Sequence, residues 1–187
     1  VRRGSRNLRL PNDHNPLGKI SVSKVVQKSS NRGAARLGIL LGKQRLEKAG
    51  QSFGFGQKTN LGIGGERQGT LHAPSRWDGL TITRLPIGHA VSVTPMQIHA
   101  SMACVANDGV LMKPQFISRV FDQAGKTIVP FEPKPVRKVI STRVSRQLST
   151  MLKSVVTEEG TARRARIEGF SVAGKTGTTQ KLIDGKY

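Results

Sequence analysis

Cysteine occurs once in the 187 residues, at Cys104. That excludes an intrachain disulfide and a multi-cysteine zinc site. The four histidines, His14, His72, His89 and His99, are scattered and form no H-E-x-x-H or similar cluster. No long hydrophobic run exists. The strongest apolar stretch, around Leu37 to Leu41, falls far short of the about 20 residues a membrane helix needs. No charged-then-apolar leader opens the chain. Acidic residues are few, 11 against 31 Lys and Arg, so the formal charge is +20. Such charge fits nucleic acid, anionic lipid head groups or an acidic polymer. The basic residues are spread from Arg2 to Lys186, however, and no RNA-recognition motif, cysteine–histidine finger or heptad-linked basic region accompanies them. Charge alone therefore indicates no specific nucleic-acid partner. Aromatics make up only 4%, and the 36% hydrophobic share is lean but sufficient for a core. Apolar residues recur along most of the length, which argues against disorder.

What is present is punctuated by 21 Gly and 9 Pro. The spacing predicts a short helix over Ser21–Lys28 with Ser21 as N-cap, and a second through Ala34, Ala35, Leu37, Leu40 and Leu41, ended by Gly42. A third runs over Lys43–Ala49 and stops at Gly50. Phe53 to Gly56 and Gly62 to Gly69 read as loops. Thr94-Pro95-Met96-Gln97 is a capping box with Pro at the first helical position. The helix it opens carries Ile98, Met102 and Val105 on one face and ends at Asn107-Asp108-Gly109. Gln115–Phe121 and Lys126–Phe131 read as strands about a turn at Asp122–Gly125. Ser141–Glu159 is a longer amphipathic helix, with Val144, Leu148, Met151, Leu152, Val155 and Val156 on one side. Gly169–Gln180 reads as a strand. The opening at Val1 rather than Met, and the end at Tyr187 just after a turn, read as truncations.

Two short motifs carry chemistry. Lys175-Thr176-Gly177-Thr178 suits a carboxylate lying beside a reacting carbonyl. Lys175 supplies positive field and Thr176 and Thr178 supply hydroxyl donors. Gly177 lets a ligand approach the backbone, and a backbone amide there can stabilise an oxyanion. An exposed polar edge strand is the competing reading. In Ser29-Ser30-Asn31, Ser29 and Asn31 are two apart and can point into one cleft at a helix entrance. A cluster of helix caps is the better reading of this tripeptide taken alone.

Together the two change the odds. S-x-N followed by K-T-G is the ordered motif pair of serine penicillin-recognising enzymes. The flanks agree over about Asp13 to Tyr187. They include Val25 to Asn31, Phe53-Gly54-Phe55-Gly56, Gly65-Glu66-Arg67-Gln68-Gly69, Trp77 and Ile87-Gly88-His89. Thr94 to Gln97, Ala106 to Gly109, Gly160-Thr161-Ala162 and Val172 to Thr178 complete the series. The chain resembles class B penicillin-binding proteins, nearest the division-associated FtsI-type peptidoglycan D,D-transpeptidases. The resemblance implies an α+β fold, a mainly antiparallel sheet flanked by helices. Residues 1–187 then form part of one transpeptidase domain, from S-x-N to K-T-G.

The resemblance also implies roles. Ser29 relays a proton between the active-site base and the leaving amine. Asn31 holds the substrate amide carbonyl and orients the catalytic lysine. Lys175 sits beside Ser29 and stabilises the substrate's terminal carboxylate. Thr176 and Thr178 bind that carboxylate, Gly177 leaves room for the substrate, and the Thr178 amide donates to the oxyanion. Implied partners are peptidoglycan stem peptides, β-lactams and membrane proteins of the division or elongation machinery, with no metal or organic cofactor. The implied location is outside the cytoplasmic membrane, with an anchor elsewhere. A non-catalytic scaffold module of the division machinery is the alternative.

The family nucleophile lies in an S-x-x-K well upstream of S-x-N. Ser21-Val22-Ser23-Lys24 matches that pattern, but it lies only a few residues before Ser29, where the family leaves a few dozen. We read Ser21 as a cap and expect the true nucleophile before Val1 and further strands after Tyr187. The isolated chain is then expected to be inactive and marginally stable, with uncovered sheet edges. Other residues receive structural readings: Glu66 pairing with a nearby Arg, Trp77 as a packing anchor, His89 in a structural hydrogen bond and Cys104 as a small core residue. Ala90 stands where the family often has Gly.

Overall fold

The computed structural model describes residues 10–177, together with the backbone of two short strands that precede them. These are β1 (Arg2–Arg3) and β2 (Arg6–Asn7), paired antiparallel. Six α-helices follow among the described residues: α1 (Val22–Gln27), α2 (Asn31–Leu41), α3 (Lys43–Ser52), α4 (Thr81–Arg84), α5 (Pro95–Ala106) and α6 (Thr142–Val155). The other strands are β3 (Thr70–Leu71), β4 (Val91–Ser92), β5 (Val110–Met112), β6 (Val120–Phe121), β7 (Thr127–Val129) and β8 (Pro135–Lys138). The class is α+β. β5 pairs antiparallel with β8 through a bulge at Leu111/Met112, and β6 pairs antiparallel with β7. Two compact units emerge, one of residues 1–48, 72–91 and 147–187, the other of 49–71 and 92–146.

The first unit carries both sequence motifs. Its packing rests on small residues. Along α2 the buried positions are Ala35 and Gly38, whereas Leu40 is 79% exposed and Leu37 and Leu41 also face outward. Of the helical pattern read from the sequence, Ala35 is buried whereas the three leucines are not. The reason is close approach: a Cβ on Gly38 would lie 2.3 Å from Pro86 Cγ and 2.9 Å from the Ile82 carbonyl. Only a residue without a side chain lets α2 sit this close to α4 and the 3₁₀ turn Leu85–Ile87. Val25 from α1, Val155 at the end of α6 and Val156 just beyond it are also buried here. Trp77 is buried and its indole N–H donates to the His72 carbonyl at 2.7 Å, as a packing anchor.

The second unit is organised by α5. Its capping box is complete: the Thr94 hydroxyl accepts from the Gln97 amide, and the Gln97 side chain accepts from the Thr94 amide. Gln97 also does more than cap. At 1% exposure, its side-chain amide donates to the carbonyls of Gln57 at 2.6 Å and Gln68 at 2.8 Å, closing the intervening loop. A buried amide with all these partners is stable, and one without them is costly. The buried face of α5 is Gln97, Ala100, Ser101, Cys104 and Val105, while Ile98 is 46% exposed. The predicted Ile98–Met102–Val105 face is thus rotated, because the helix packs through Ala100 and Cys104 against Leu111, Phe53 and Val139. Cys104 is a core residue as expected, and burial raises its thiol above the ordinary value, which keeps it an inert thiol. Ser145, at the start of α6, donates from its buried hydroxyl to the Val105 carbonyl.

Several boundaries differ from the expected ones. α3 continues through Gly50, where a Cβ would meet Leu71 Cδ2 at 2.9 Å, so this glycine serves packing rather than termination. α6 ends at Val155, four residues early, where the chain turns into Gly160-Thr161-Ala162. The strands expected over Gln115–Phe121 and Lys126–Phe131 shorten to β6 and β7, which lie wholly exposed. No strand forms over residues 169–177, and the rest of the expected Gly169–Gln180 strand lies outside the described residues.

Candidate functional site

The S-x-N tripeptide divides its labour in a way its composition does not reveal. The helix cap is the middle serine. Ser30 is buried, its hydroxyl accepts from the Gly33 amide at 2.9 Å, and it donates to Asp13 Oδ2 at 2.8 Å. Asp13 Oδ1 in turn accepts from the Arg32 amide at 3.1 Å. With Ser30 capping α2, Ser29 is released from that duty. Ser29 itself has φ +52°, a left-handed conformation that costs a non-glycine residue about 1–2 kcal/mol. In this conformation its hydroxyl lies within reach of the second motif.

There the Lys175 ammonium donates to Ser29 Oγ at 2.5 Å and to the Thr176 carbonyl at 2.9 Å. Thr176 Oγ1 lies 3.3 Å from Ser29 Oγ. Two motifs 146 residues apart in the chain therefore share one hydrogen-bonded cluster. Partial desolvation lowers the Lys175 ammonium below the ordinary lysine value, although the side chain still reaches water.

The other expected residues are placed as follows. Asn31 is the first residue of α2, and its side-chain amide donates to the Asn12 carbonyl at 3.2 Å. Gly177 is exposed, and a Cβ there would meet nothing within 4 Å. Thr178 lies outside the described residues. Ser21 is the N-cap of α1, with its hydroxyl accepting from the Lys24 amide at 3.2 Å. Lys24 Nζ pairs with Glu159 Oε2 at 2.9 Å. This S-x-x-K is thus occupied structurally.

Thr161 belongs to the cluster, and sequence reasoning gave it no role. Its hydroxyl lies 3.3 Å from Ser29 Oγ and 2.9 Å from Thr176 Oγ1. The only signal was its place in Gly160-Thr161-Ala162, a tripeptide with no intrinsic chemistry. The turn that presents it is tightly built. A Cβ on Gly160 would lie 2.0 Å from the Val155 carbonyl oxygen, which also accepts from the Ala162 amide at 2.9 Å. Lys28 Nζ donates to the Glu159 carbonyl at 2.6 Å, tying α1 to the same turn.

Two side readings change. Glu66 pairs not with arginine but with the Thr59 hydroxyl and the amides of Thr59 and Asn60. These bonds, the Thr59 hydroxyl first, hold its carboxyl below the ordinary value. A local loop geometry that offers three donors outcompetes a solvated guanidinium. His89 has no side-chain hydrogen bond at its buried Nδ1, contrary to the structural bond expected for it. Among the described residues, no group of three His, Cys, Asp or Glu side chains is placed to hold a metal ion. No helix among them is long and apolar enough to cross a membrane.

Comparison with known proteins gives a consistent result. A family model described as the penicillin-binding protein transpeptidase domain matches residues 6–187. Stage V sporulation protein D of Bacillus subtilis is 42% identical over 165 residues, covering 88% of this chain and 25% of that protein. Peptidoglycan D,D-transpeptidase FtsI of Escherichia coli is 31% identical over 170 residues, covering 90% of this chain and 27% of that protein. Among solved structures, penicillin-binding protein 3 of Mycobacterium tuberculosis complexed with aztreonam superposes with a TM-score of 0.80 at 32% identity, over 88% of this chain and 38% of that one. The chain thus spans about a quarter of the length of the curated relatives it matches.

Proposed function

Because the chain belongs to the penicillin-binding protein transpeptidase family, we propose that it forms the S-x-N and K-T-G side of the active site of a serine D,D-transpeptidase, within one transpeptidase domain. The observation that carries this is the Lys175–Ser29 hydrogen bond at 2.5 Å, which joins the two motifs into one polar cluster. An anionic ligand end meets a cation and a hydroxyl here, at Lys175 and Thr176. Beside them Ser29 can accept a proton on one side and release it on the other.

In the proposed reaction a serine oxygen attacks the carbonyl of a D-Ala-D-Ala bond. A C–O bond forms, the C–N bond breaks, and D-Ala leaves after its nitrogen takes up the proton lost by the serine. Ser29 is the relay for that proton. An amine from a neighbouring stem peptide then attacks the ester, loses a proton through the same relay, and restores the serine. Lys175 and Thr176 bind the terminal carboxylate and so fix the scissile carbonyl in position, which is where most of the acceleration from orientation arises. The Ser21-to-Lys24 segment does not supply the attacking serine, because Ser21 caps α1 and Lys24 is paired with Glu159. Asn31 and Thr178 are proposed substrate contacts. β-Lactams, which carry a carboxylate beside a strained amide, are proposed to enter the same site. The proposed location is the outer face of the cytoplasmic membrane, alongside membrane proteins of cell-wall synthesis.

The test is acylation by a fluorescent penicillin, measured on the protein at its natural length. Lys175→Ala should lower the second-order acylation rate by about a hundredfold or more, as expected for loss of an electrostatic contact at a reacting centre. Ser29→Ala should lower it by a similar order. Unchanged acylation in Lys175→Ala would sink the assignment. Absence of acylation in the parent protein would favour a non-catalytic scaffold.

A further inference from the structure

We propose that Thr161 is a positioning residue of this site: it accepts the Ser29 hydroxyl proton, donates its own to Thr176, and thereby leaves the Thr176 hydroxyl free to point at a ligand carboxylate. The proposal rests on the transpeptidase reading of the cluster.

Ser29, Thr161 and Thr176 each carry one hydroxyl proton, and their oxygens form a triangle with sides of 3.3, 3.3 and 2.9 Å. The Lys175 ammonium has donors only, and it already gives one to Ser29 Oγ. In the resting site, before a substrate engages Ser29 as a relay, the two threonine hydroxyls are the acceptors that the described residues place within reach of the Ser29 proton. The shortest side of the triangle joins Thr161 to Thr176. With an anion facing Thr176, the run is Lys175 to Ser29 to Thr161 to Thr176 to carboxylate. Each hydroxyl in it accepts once and donates once. Such a chain is cooperative, every member polarising the next. Without the Thr161 oxygen, Thr176 keeps only the 3.3 Å contact to Ser29 and loses the bond that fixes its rotamer.

Among the described residues, the Thr161 hydroxyl has hydrogen-bond contacts only to Ser29 and Thr176. The 3₁₀ turn that follows, Arg163–Ala165, has Ala162 at its N-cap and no side-chain cap, so Thr161 is not a capping hydroxyl. Its backbone is pinned on both sides. Gly160 approaches the Val155 carbonyl as only glycine can, and the Ala162 amide bonds to that same oxygen. Lys24 and Lys28 fasten Glu159 by its carboxylate and its carbonyl. The decoy S-x-x-K lysine thus acts at a distance, as a brace for the Thr161 turn.

The experiment compares Thr161→Val and Thr161→Ser in the protein at its natural length. Acylation is measured with a penicillin and with its methyl ester, which lacks the free carboxylate. The parent should prefer the acid, and Thr161→Val should lose about tenfold of that preference, the worth of one hydrogen bond. Thr161→Ser should keep it to within about threefold, since it retains the hydroxyl. Equal loss on acid and ester, or no rescue by serine, would overturn the proposal. The second readout needs no turnover: the titration of Lys175, followed by NMR of ¹³C-labelled lysine in the protein at its natural length. Thr161→Val should lower its midpoint by about half a unit, because the charged form loses the acceptor run behind Ser29, and Thr161→Ser should not. An unmoved midpoint overturns the proposal. If the parent does not acylate at all, the transpeptidase reading fails, and this titration still decides the role of Thr161.

Discussion

Replacing either of two adjacent serines with alanine should separate stability from chemistry. Ser30→Ala removes a buried hydroxyl that caps α2 through the Gly33 amide and bonds the Asp13 carboxylate. Loss of a serine cap costs about 1 kcal/mol. Loss of a hydrogen bond to a carboxylate costs about 1.5–3 kcal/mol, toward the low end here because Asp13 is only half-buried and water replaces part of the bond. The two share one hydroxyl, so the sum is not fully additive, and about 2 kcal/mol is expected. For a chain of this size that lowers the melting temperature by roughly 4–8 °C. Ser29→Ala removes only long or solvent-facing contacts and should cost about 0–0.5 kcal/mol, hence no more than about 2 °C. The assay is thermal unfolding of the 187-residue chain and both variants by circular dichroism, with penicillin acylation measured on the natural-length protein. Ser30→Ala should melt early, and Ser29→Ala should melt normally yet acylate poorly. If Ser29→Ala proves as destabilising as Ser30→Ala, or if Ser30→Ala melts within about 1 °C of the parent, the division of labour argued here is wrong.

Three further outcomes follow from the same geometry. Ala90 has φ +60°, so Ala90→Gly should stabilise the chain by about 0.5–1 kcal/mol by removing left-handed strain; a lower melting temperature would contradict this. Gly38→Ala gains helix propensity but drives a Cβ to 2.3 Å from Pro86, so it should destabilise by about 1–3 kcal/mol in chemical unfolding; any net gain would mean α2 and α4 are not packed this closely. Lys175 titrates below the ordinary lysine value of 10.5 because it is partly desolvated. Its charged form is therefore disfavoured by folding, and stability should rise with pH between the lowered folded value and 10.5. Acylation, which needs the charged form to hold a carboxylate, should fall over that same alkaline range. In Lys175→Arg this alkaline limb should vanish from the pH–rate profile, whatever the absolute rate, since arginine stays charged there.

Local rules were legible in the residues themselves. The Thr94 capping box and the Ser21 cap form where side-chain hydrogen bonding within a few residues dictates, and Gly42 ends α2 with φ +82° and its backbone amide donating to the Gly38 carbonyl. The motif pair was legible too, not from either motif alone, since Ser and Asn are ordinary helix caps, but from S-x-N followed by K-T-G with agreeing flanks. What only the tertiary structure decided is which side of each element is buried and which hydroxyls meet. Apolar periodicity picked out Ala34, Ala35, Leu37, Leu40 and Leu41 on α2 and Ile98, Met102 and Val105 on α5, and of these only Ala35 and Val105 are buried. The buried stripes are Ala35 with Gly38, and Gln97 with Ala100 and Cys104. Periodicity reports how much apolar area a face can bury, whereas close helix packing rewards small residues that let backbones approach, and nothing local distinguishes them. In the same way, Ser30 rather than Ser29 caps α2, and Glu66 turns to Thr59 rather than to an arginine. Thr161 reaches Ser29 across 132 residues of chain. A threonine in a glycine turn carries no mark of what lies opposite it; that depends on where folding brings a distant segment, and it is there that the Ser29–Thr161–Thr176 cluster comes into being.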